Sequence, residues 1–309
     1  MILSVCPDPY IDVNLEVDYL RVGMCNKIKS KRIFYTGKAL NAAIGLARLD
    51  CDAFVTGFMY EENGNMYEQQ LHKEGVPYKF VWNKGRVREN YKFIDHRSML
   101  TEADELNPEI SKDKQTELLT LIGQISNRSE GIIVSGELAR GCDNEFFYKI
   151  LQAVPESAVK VVDTDGERLL QALKCGVDLV KPNIEELERT LKVKIVSEED
   201  MINACRKILD MGSKYILLSL GKQGAVISDG NRFYHCKSVN VAMNSTIGAG
   251  DGMVAAAANA LIRGGDMQEI LRCGVAGGTA SVTLPDSISF TKDKYEEILS
   301  SLSVTEILK

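Results

Sequence analysis

Apolar positions recur along the chain with two different periods, and the switches between them mark its elements. Met1 to Cys6 is a short apolar run. Ile11, Val13, Leu15 and Val17 then alternate with Asp12, Asn14, Glu16 and Asp18, a period of two that predicts a strand with one wet face. From Leu40 to Leu49 the spacing lengthens to that of a helix, Asp52 to Phe58 returns to a strand, and a second helix is expected from about Asn65 to Lys73. Residues 78 to 98 break this rhythm. Tyr78 to Trp82 and Asn90 to Ile94 read as two strands around Asn83-Lys84-Gly85, a hairpin loop that with residues 11 to 33 would make a small separate sheet.

Beyond Ser111 the alternation is regular. A helix to about Ile125, a strand over Gly131 to Ser135, a helix over Asn144 to Val154, a strand over Val159 to Asp163, a helix over Glu167 to Leu173 and a strand over Val177 to Lys181 follow in turn. Strands separated by helix-length segments imply a mostly parallel sheet of the α/β class. Ser197-Glu-Glu-Asp opens a helix to about Met211 with a capping-box pattern, before a strand over Tyr215 to Leu220. Ala225 to Ser228 and Arg232 to Cys236 flank Asp229-Gly230-Asn231, so the sheet is expected to end in antiparallel strands. Two helices close the chain. No internal repeat, linker or low-complexity segment interrupts it.

Composition narrows the function classes. With 309 residues, 45% hydrophobic and 26% charged, the chain can bury the core of one large α/β domain with an appendage. A formal net charge of -6 argues against a broad nucleic-acid surface, so any phosphate recognition must be local. The longest apolar helix, around Met253 to Ile262, is too short to span a bilayer. Eight scattered cysteines without a C-x-x-C pair indicate neither a zinc site nor a disulfide framework, and cytoplasm is the expected compartment.

The chemistry concentrates in loops. Gly248-Ala249-Gly250 lets backbone approach a ligand closely, and a helix from about Asp251 would aim its N–H groups and positive dipole end into that turn. Asp251 is then either a general base beside an anion hole or a helix cap. Thr36-Gly37-Lys38-Ala39-Leu40-Asn41 opens another helix, its lysine either aimed at a loop ligand or solvated. Ser135 to Gly141 lies at a strand's C-terminal end, where open α/β sheets place ligands, though a plain turn explains it equally. Asn183 and Glu186 share one face of a first helical turn, able to hold hydrated Mg²⁺ or simply to form a capping box. Ser219-Leu220-Gly221-Lys222-Gln223-Gly224 would floor a nucleotide site or make an ordinary turn.

The order of these stretches resembles the ribokinase-like (PfkB) family of sugar kinases, in its 1-phosphofructokinase and tagatose-6-phosphate kinase branch. Val162-Asp163-Thr164-Asp165-Gly166-Glu167 and Leu179-Val180-Lys181-Pro182-Asn183-Ile184-Glu185-Glu186-Leu187 are similar to "DTSGE … LIKPNxEEL", and Ser245 to Asp251 matches the family's C-terminal signature. The resemblance covers nearly the whole chain. It implies one ribokinase-like domain over 1–309, a mostly parallel central sheet with helices on both faces, and a small β lid from about 11–33 and 78–98 that closes over the sugar and mediates a homodimer. It also implies ATP and Mg²⁺. Carried over residue by residue, Asp251 is the catalytic base, with Gly248, Ala249 and Gly250 stabilising the transferring phosphoryl. Asp12, Gly37, Lys38, Asn41, Arg88 and Asn90 fall at sugar positions. Lys181, Asn183, Ser219, Gly221 and Gly224 fall at nucleotide-side positions, and Glu186 at the Mg²⁺ carboxylate.

Departures from the family pattern lie mostly on the sugar side. Thr36 and Ala39 replace glycines, Tyr10 a small residue of "NPAID", Glu137 and Arg140 part of "SGSLPPG", and Gly252 the usual Ser after the base. Lys38 and Arg88 favour a phosphorylated ketohexose as acceptor: fructose 1-phosphate, tagatose 6-phosphate or fructose 6-phosphate. The substituted loop favours an unphosphorylated sugar or nucleoside, and a weakly catalytic sugar- or nucleotide-binding regulator is a third reading. No G-x-G-x-x-G follows the first strand, which sets a dinucleotide-dependent oxidoreductase aside.

Overall fold

Short apolar runs become strands and longer periodic ones become helices, largely as the pattern predicts. The computed structural model describes residues 1–97, 99–242, 248–284 and 288–308. It begins with β1 (Ile2–Cys6), β2 (Tyr10–Val17), β3 (Ile28–Thr36), α1 (Lys38–Arg48), β4 (Ala53–Tyr60), α2 (Asn65–Lys73), β5 (Tyr78–Asn83), β6 (Arg88–Ile94) and β7 (Leu100–Asp104). The middle of the chain holds α3 (Lys112–Ser126), β8 (Gly131–Ser135), α4 (Asn144–Gln152), β9 (Val159–Asp163), α5 (Gly166–Leu173), β10 (Val177–Val180) and α6 (Ile184–Leu191). It ends with α7 (Glu198–Asp210), β11 (Ser213–Ser219), β12 (Ala225–Ser228), β13 (Phe233–Cys236), α8 (Ala249–Ile262), α9 (Met267–Ser281), α10 (Lys292–Ser301) and β14 (Val304–Leu308).

Ten strands form one sheet in the order β14-β13-β12-β11-β10-β9-β8-β1-β4-β5. From β5 to β11 every neighbour is parallel, and β12 to β14 are antiparallel. Every residue of β1 and β8 is buried, because helices cover both faces of a parallel sheet and each strand can be apolar throughout. This is the expected α/β architecture. β14 was not anticipated: Val304–Leu308 returns after the last helix to pair with β13.

A second sheet has the order β3-β2-β6-β7, and it corrects the expected hairpin. Tyr78–Asn83 is not in the small sheet: β5 pairs in parallel with β4, Val55 opposite Tyr78, at the edge of the large one. Its aromatic run packs there, Phe80 edge-on to Trp82, and Asn83 ends it by donating to the carbonyls of Met59 and Val81. Asn83-Lys84-Gly85 therefore carries the chain from one sheet to the other. β6 pairs with β2 in parallel, Asp12 opposite Asn90, and β7 supplies a fourth strand from outside the expected range.

The wet face expected on β2 is corrected over its first half. Asp12 is 1% exposed and Asn14 6%, so these two face other groups, while the Glu16 side chain is half-exposed and that of Asp18 exposed, as expected. Gly252, by contrast, has a packing reason. A Cβ there would lie 2.1 Å from Ser281 Oγ and 2.8 Å from the Gly277 carbonyl oxygen, so α8 and α9 approach too closely for any side chain. Among the described residues no helix is long and apolar enough to cross a membrane.

Candidate active site

Helix α8 begins at Ala249, two residues before the expected start, with Gly248 at its N-cap in the left-handed region (φ 81°) and no side-chain cap. The first N–H groups of a helix lack intrahelical acceptors, so this turn presents donors and positive dipole together. Asp251 does not cap. It is the third helical residue, 6% exposed, and its Oδ2 accepts from Asn41 Nδ2 at 2.7 Å. Burial pushes its carboxyl up to about 6, while Lys38 and the Asn41 hydrogen bond pull it back. A carboxylate so placed is ready to take a proton near neutral pH. Ser245, Thr246 and Ile247 of the signature lie outside the described residues.

Beside this turn, one buried carboxylate holds two lysines. Asp163, at the C-terminal end of β9, has Oδ1 3.1 Å from Lys181 Nζ and Oδ2 3.6 Å from Lys38 Nζ, and Ser135 Oγ donates to Oδ2 at 3.1 Å. Burial opposes its charge, yet Lys181 and then Lys38 hold the carboxyl below its ordinary range. Asp163 in turn raises Lys38, so Lys38 stays charged. A Cβ on Gly250 would lie 3.5 Å from Lys181 Nζ, which sets that ammonium against the first turn of α8. Lys38 also reaches within 3.9 Å of Glu186 Oε1. The capping box is present as well: Glu186 Oε2 accepts from the Asn183 N–H, and Asn183 Oδ1 from the Glu186 N–H. Oε1 takes no part in the box and faces Lys38.

Next to the α8 turn opens a cavity of about 440 Å³, a volume suited to a nucleotide-sized ligand. Ser219, Gly221 and Gly224 line it with Gly250 and Ala249, and Val239, Val241, Met253, Val275 and Val282 make an apolar wall. Lys181, Asn183 and Glu186 lie outside this lining, in the charged network beside it. Gly224 (φ 87°) could hold no Cβ, which would meet the Cys236 carbonyl oxygen at 1.9 Å.

Across from the network lies the small sheet's inner face. Asp12 Oδ2 is 2.9 Å from Lys92 Nζ and accepts from Thr36 Oγ1 at 3.4 Å, so the threonine that replaces a loop glycine gives its hydroxyl to Asp12. Burial raises the Asp12 carboxyl against the pull of Lys92. Asp12 Oδ1, Asn14 Oδ1 and Asn41 Oδ1 are buried acceptors with no partner among the described residues. Arg88 is also committed: Nε and Nη2 lie 3.1 and 3.0 Å from Asp8 Oδ2, Nη1 donates to Asn90 Oδ1 at 2.6 Å, and the guanidinium sits over the Tyr10 ring. Gly37 precedes α1, where a Cβ would press on Leu40 Cδ1 at 3.0 Å and Cys6 Sγ at 3.2 Å.

Lys38 and Arg88, anticipated as two cations at one phosphate, thus hold different carboxylates. Sequence reasoning assigned no role to Asp163, Lys92 or Asp8. Asp163 was visible as a carboxylate ending a strand, within the segment that resembles the family pattern, and Lys92 only as the second step of an alternating row after Arg88.

The profile described as pfkB family carbohydrate kinase matches residues 5–294. A tagatose-6-phosphate kinase of Staphylococcus epidermidis is 25% identical over 311 residues, covering 99% of this chain and 100% of that protein. A 1-phosphofructokinase of Borreliella burgdorferi is 25% identical over 308 residues, with 99% of each covered. The tetrameric inhibited form of phosphofructokinase-2 from Escherichia coli superposes with a TM-score of 0.87 at 25% identity, covering 97% of this chain and 98% of that one.

Proposed function

The chain belongs to the pfkB family of carbohydrate kinases and is a phosphotransferase, and from that premise we propose that it moves the γ-phosphoryl group of ATP to a hydroxyl of a phosphorylated ketohexose, with Asp251 as general base. The observation that carries this reading is the buried Asp251, its carboxyl pushed up to about 6, in the first turn of a helix whose N–H groups lie beside the Lys38–Asp163–Lys181 cluster. The similarity to kinases of tagatose 6-phosphate and fructose phosphates supports the acceptor class.

The residues fit the groups required. Mg-ATP supplies the phosphoryl group and, through its metal, part of the charge neutralisation. Its nucleoside would be held in the cavity beside the α8 turn, against Val239, Val241, Met253, Val275 and Val282. No group of three potential metal-ligating side chains is found among the described residues, which suits an ion held by Glu186 together with water and phosphate oxygens. Asn41 orients Asp251 through Oδ2, leaving Oδ1 to receive the acceptor proton. The first N–H groups of α8, with Lys181 and Lys38, meet the charge that spreads over the phosphoryl oxygens in the transition state. Asp12, Asn14 and Asn41 each offer a buried oxygen lacking a donor, and sugar hydroxyls are such donors.

An unphosphorylated sugar is the second reading, favoured by one observation: Lys38 and Arg88 are both already ion-paired. A homodimer through the small sheet is supported by the exposed Ile28 and Ile33 of β3 and Val22 and Met24 in the loop before it, and light scattering at working concentration tests it. The central experiment is a coupled ADP-release assay with Mg-ATP against fructose 1-phosphate, fructose 6-phosphate, tagatose 6-phosphate and the free sugars. Turnover with none of them would sink the proposal.

A further inference from the structure

Arg88 and Lys92 alternate on β6, and the residues opposite Arg88 and Asn90 are Tyr10 and Asp12 on β2. Side chains two apart share a face of a strand, so these groups form one row on the small sheet. Arg88 is the member whose fork suits a phosphate, since the Nε and Nη2 edge of a guanidinium can take two oxygens of an anion at once. That edge is occupied by Asp8, from the loop between β1 and β2. Oδ2 receives Nε and Nη2, and Oδ1 accepts from Asn107 Nδ2 at 2.6 Å. Asn107 also accepts from the Arg88 backbone N–H at 2.7 Å and donates to the Pro9 carbonyl at 2.9 Å. The carboxylate is therefore locked in register with the arginine. Both side chains are largely buried, 11% and 7% exposed.

The pairing is costly in its own terms. Burial raises the Asp8 carboxyl above its ordinary range despite Arg88 and Asn107, and a buried ion pair is in general a weak source of stability. Glu137, on the loop after β8, adds to the negative potential at Asp8. A phosphate brought to Arg88 would meet two carboxylates and find the matching edge already filled. A neutral hydroxyl-rich end would meet no such repulsion.

We propose that Asp8 is a specificity-determining residue: an internal anion that occupies Arg88 and weakens this chain's preference for an acceptor carrying phosphate at the end facing the small sheet. The inference rests on the small sheet being the acceptor side of the kinase site. Removing the charge at constant shape, Asp8→Asn, frees the fork for a phosphate.

The test compares kcat/KM for fructose 6-phosphate and tagatose 6-phosphate with that for fructose in the wild type, Asp8→Asn and Asp8→Ser. The ratio of phosphorylated to free sugar should rise at least about tenfold in both variants, through KM for the phosphorylated sugar, as expected for relief of like-charge repulsion at a desolvated site. Inorganic phosphate should become a correspondingly stronger inhibitor. Adding Arg88→Gln to Asp8→Asn should abolish the gain. A ratio unchanged within twofold, a fall in it, or failure of both variants to fold would overturn the proposal, the last by making Asp8 an anchor of its loop. Calorimetric titration of fructose 6-phosphate into wild type and Asp8→Asn reads the same effect without turnover. Absence of activity with every sugar would thus count against the kinase reading, while tighter binding by the variant would still uphold the role of Asp8.

Discussion

The two walls that meet at Asp251 are built differently. On the large-sheet side the polar groups are backbone N–H groups of a helix start, two lysines pinned by one carboxylate, and an apolar cavity. On the small-sheet side the residues are side chains of both charges, Arg88 and Lys92 paired with Asp8 and Asp12, and the buried Asp12 Oδ1 and Asn14 Oδ1 lack donors. A helix start with fixed ammonium groups stabilises any phosphoryl in flight. A row of side chains on a strand discriminates between acceptors, because one substitution changes one contact. On the function proposed above, the large-sheet wall would serve the reaction and the small-sheet wall the choice of acceptor.

That division can be broken by mutation. Asp251→Asn should lower kcat at least about 10²-fold by the same factor for every acceptor, with KM for ATP changed little. A loss that varied widely between acceptors would remove Asp251 from the base role. Lys92→Met leaves Asp12 buried without its cation and should raise KM for the acceptor by roughly tenfold, the scale of a lost hydrogen bond to a charged group, again with KM for ATP unchanged. An equal fall in kcat for all acceptors would merge the two walls into one.

The pH profile sharpens the assignment. With Asp251 as the proposed base, activity would need its carboxylate, so kcat/KM should be level above pH 7 and fall about tenfold per unit below about pH 6, a limb that Asp251→Asn should lack. Stability runs the opposite way. The folded carboxyl sits above its unfolded value, so its favourable contribution is complete below the unfolded value and is lost as pH rises through about 6. Asp251→Asn should therefore be more stable than wild type at pH 8, by on the order of 3 kcal/mol, with the difference vanishing towards pH 4 in thermal melts. The smallest effect on chemistry should come from Gly252→Ser. It should cost about 1–3 kcal/mol of stability through overpacking against Ser281 and Gly277, and a stable, fully active variant would show that the α8–α9 contact yields easily.

Much of this architecture could be read from local pattern. The strands Gly131–Ser135 and Val159–Asp163 and the helix Asn65–Lys73 lie where apolar spacing places them, because burial on both faces or on one stripe leaves its period in the residues themselves. The glycine turn before Asp251 was legible for a similar reason: Gly248 takes a conformation that few other residues adopt readily. β5 was not legible, since Tyr78–Asn83 could join either sheet and only its pairing with β4 decides. The polar row of β2 looked wet because Asp12 and Asn14 are residue types that usually face solvent.

What the chain determined by itself was the order of strands and helices, the glycine turn and the inventory of charged groups, all properties of neighbours a few residues apart. Tertiary structure alone decided who meets whom: Asn41 with Asp251 across 210 positions, Arg88 with Asp8 across 80, and Lys38 with Lys181 on Asp163. Those meetings set the charge and proton affinity of each group, because in a desolvated interior the Coulomb interaction depends on distance in space and on exclusion of water, and neither is a local property of the sequence.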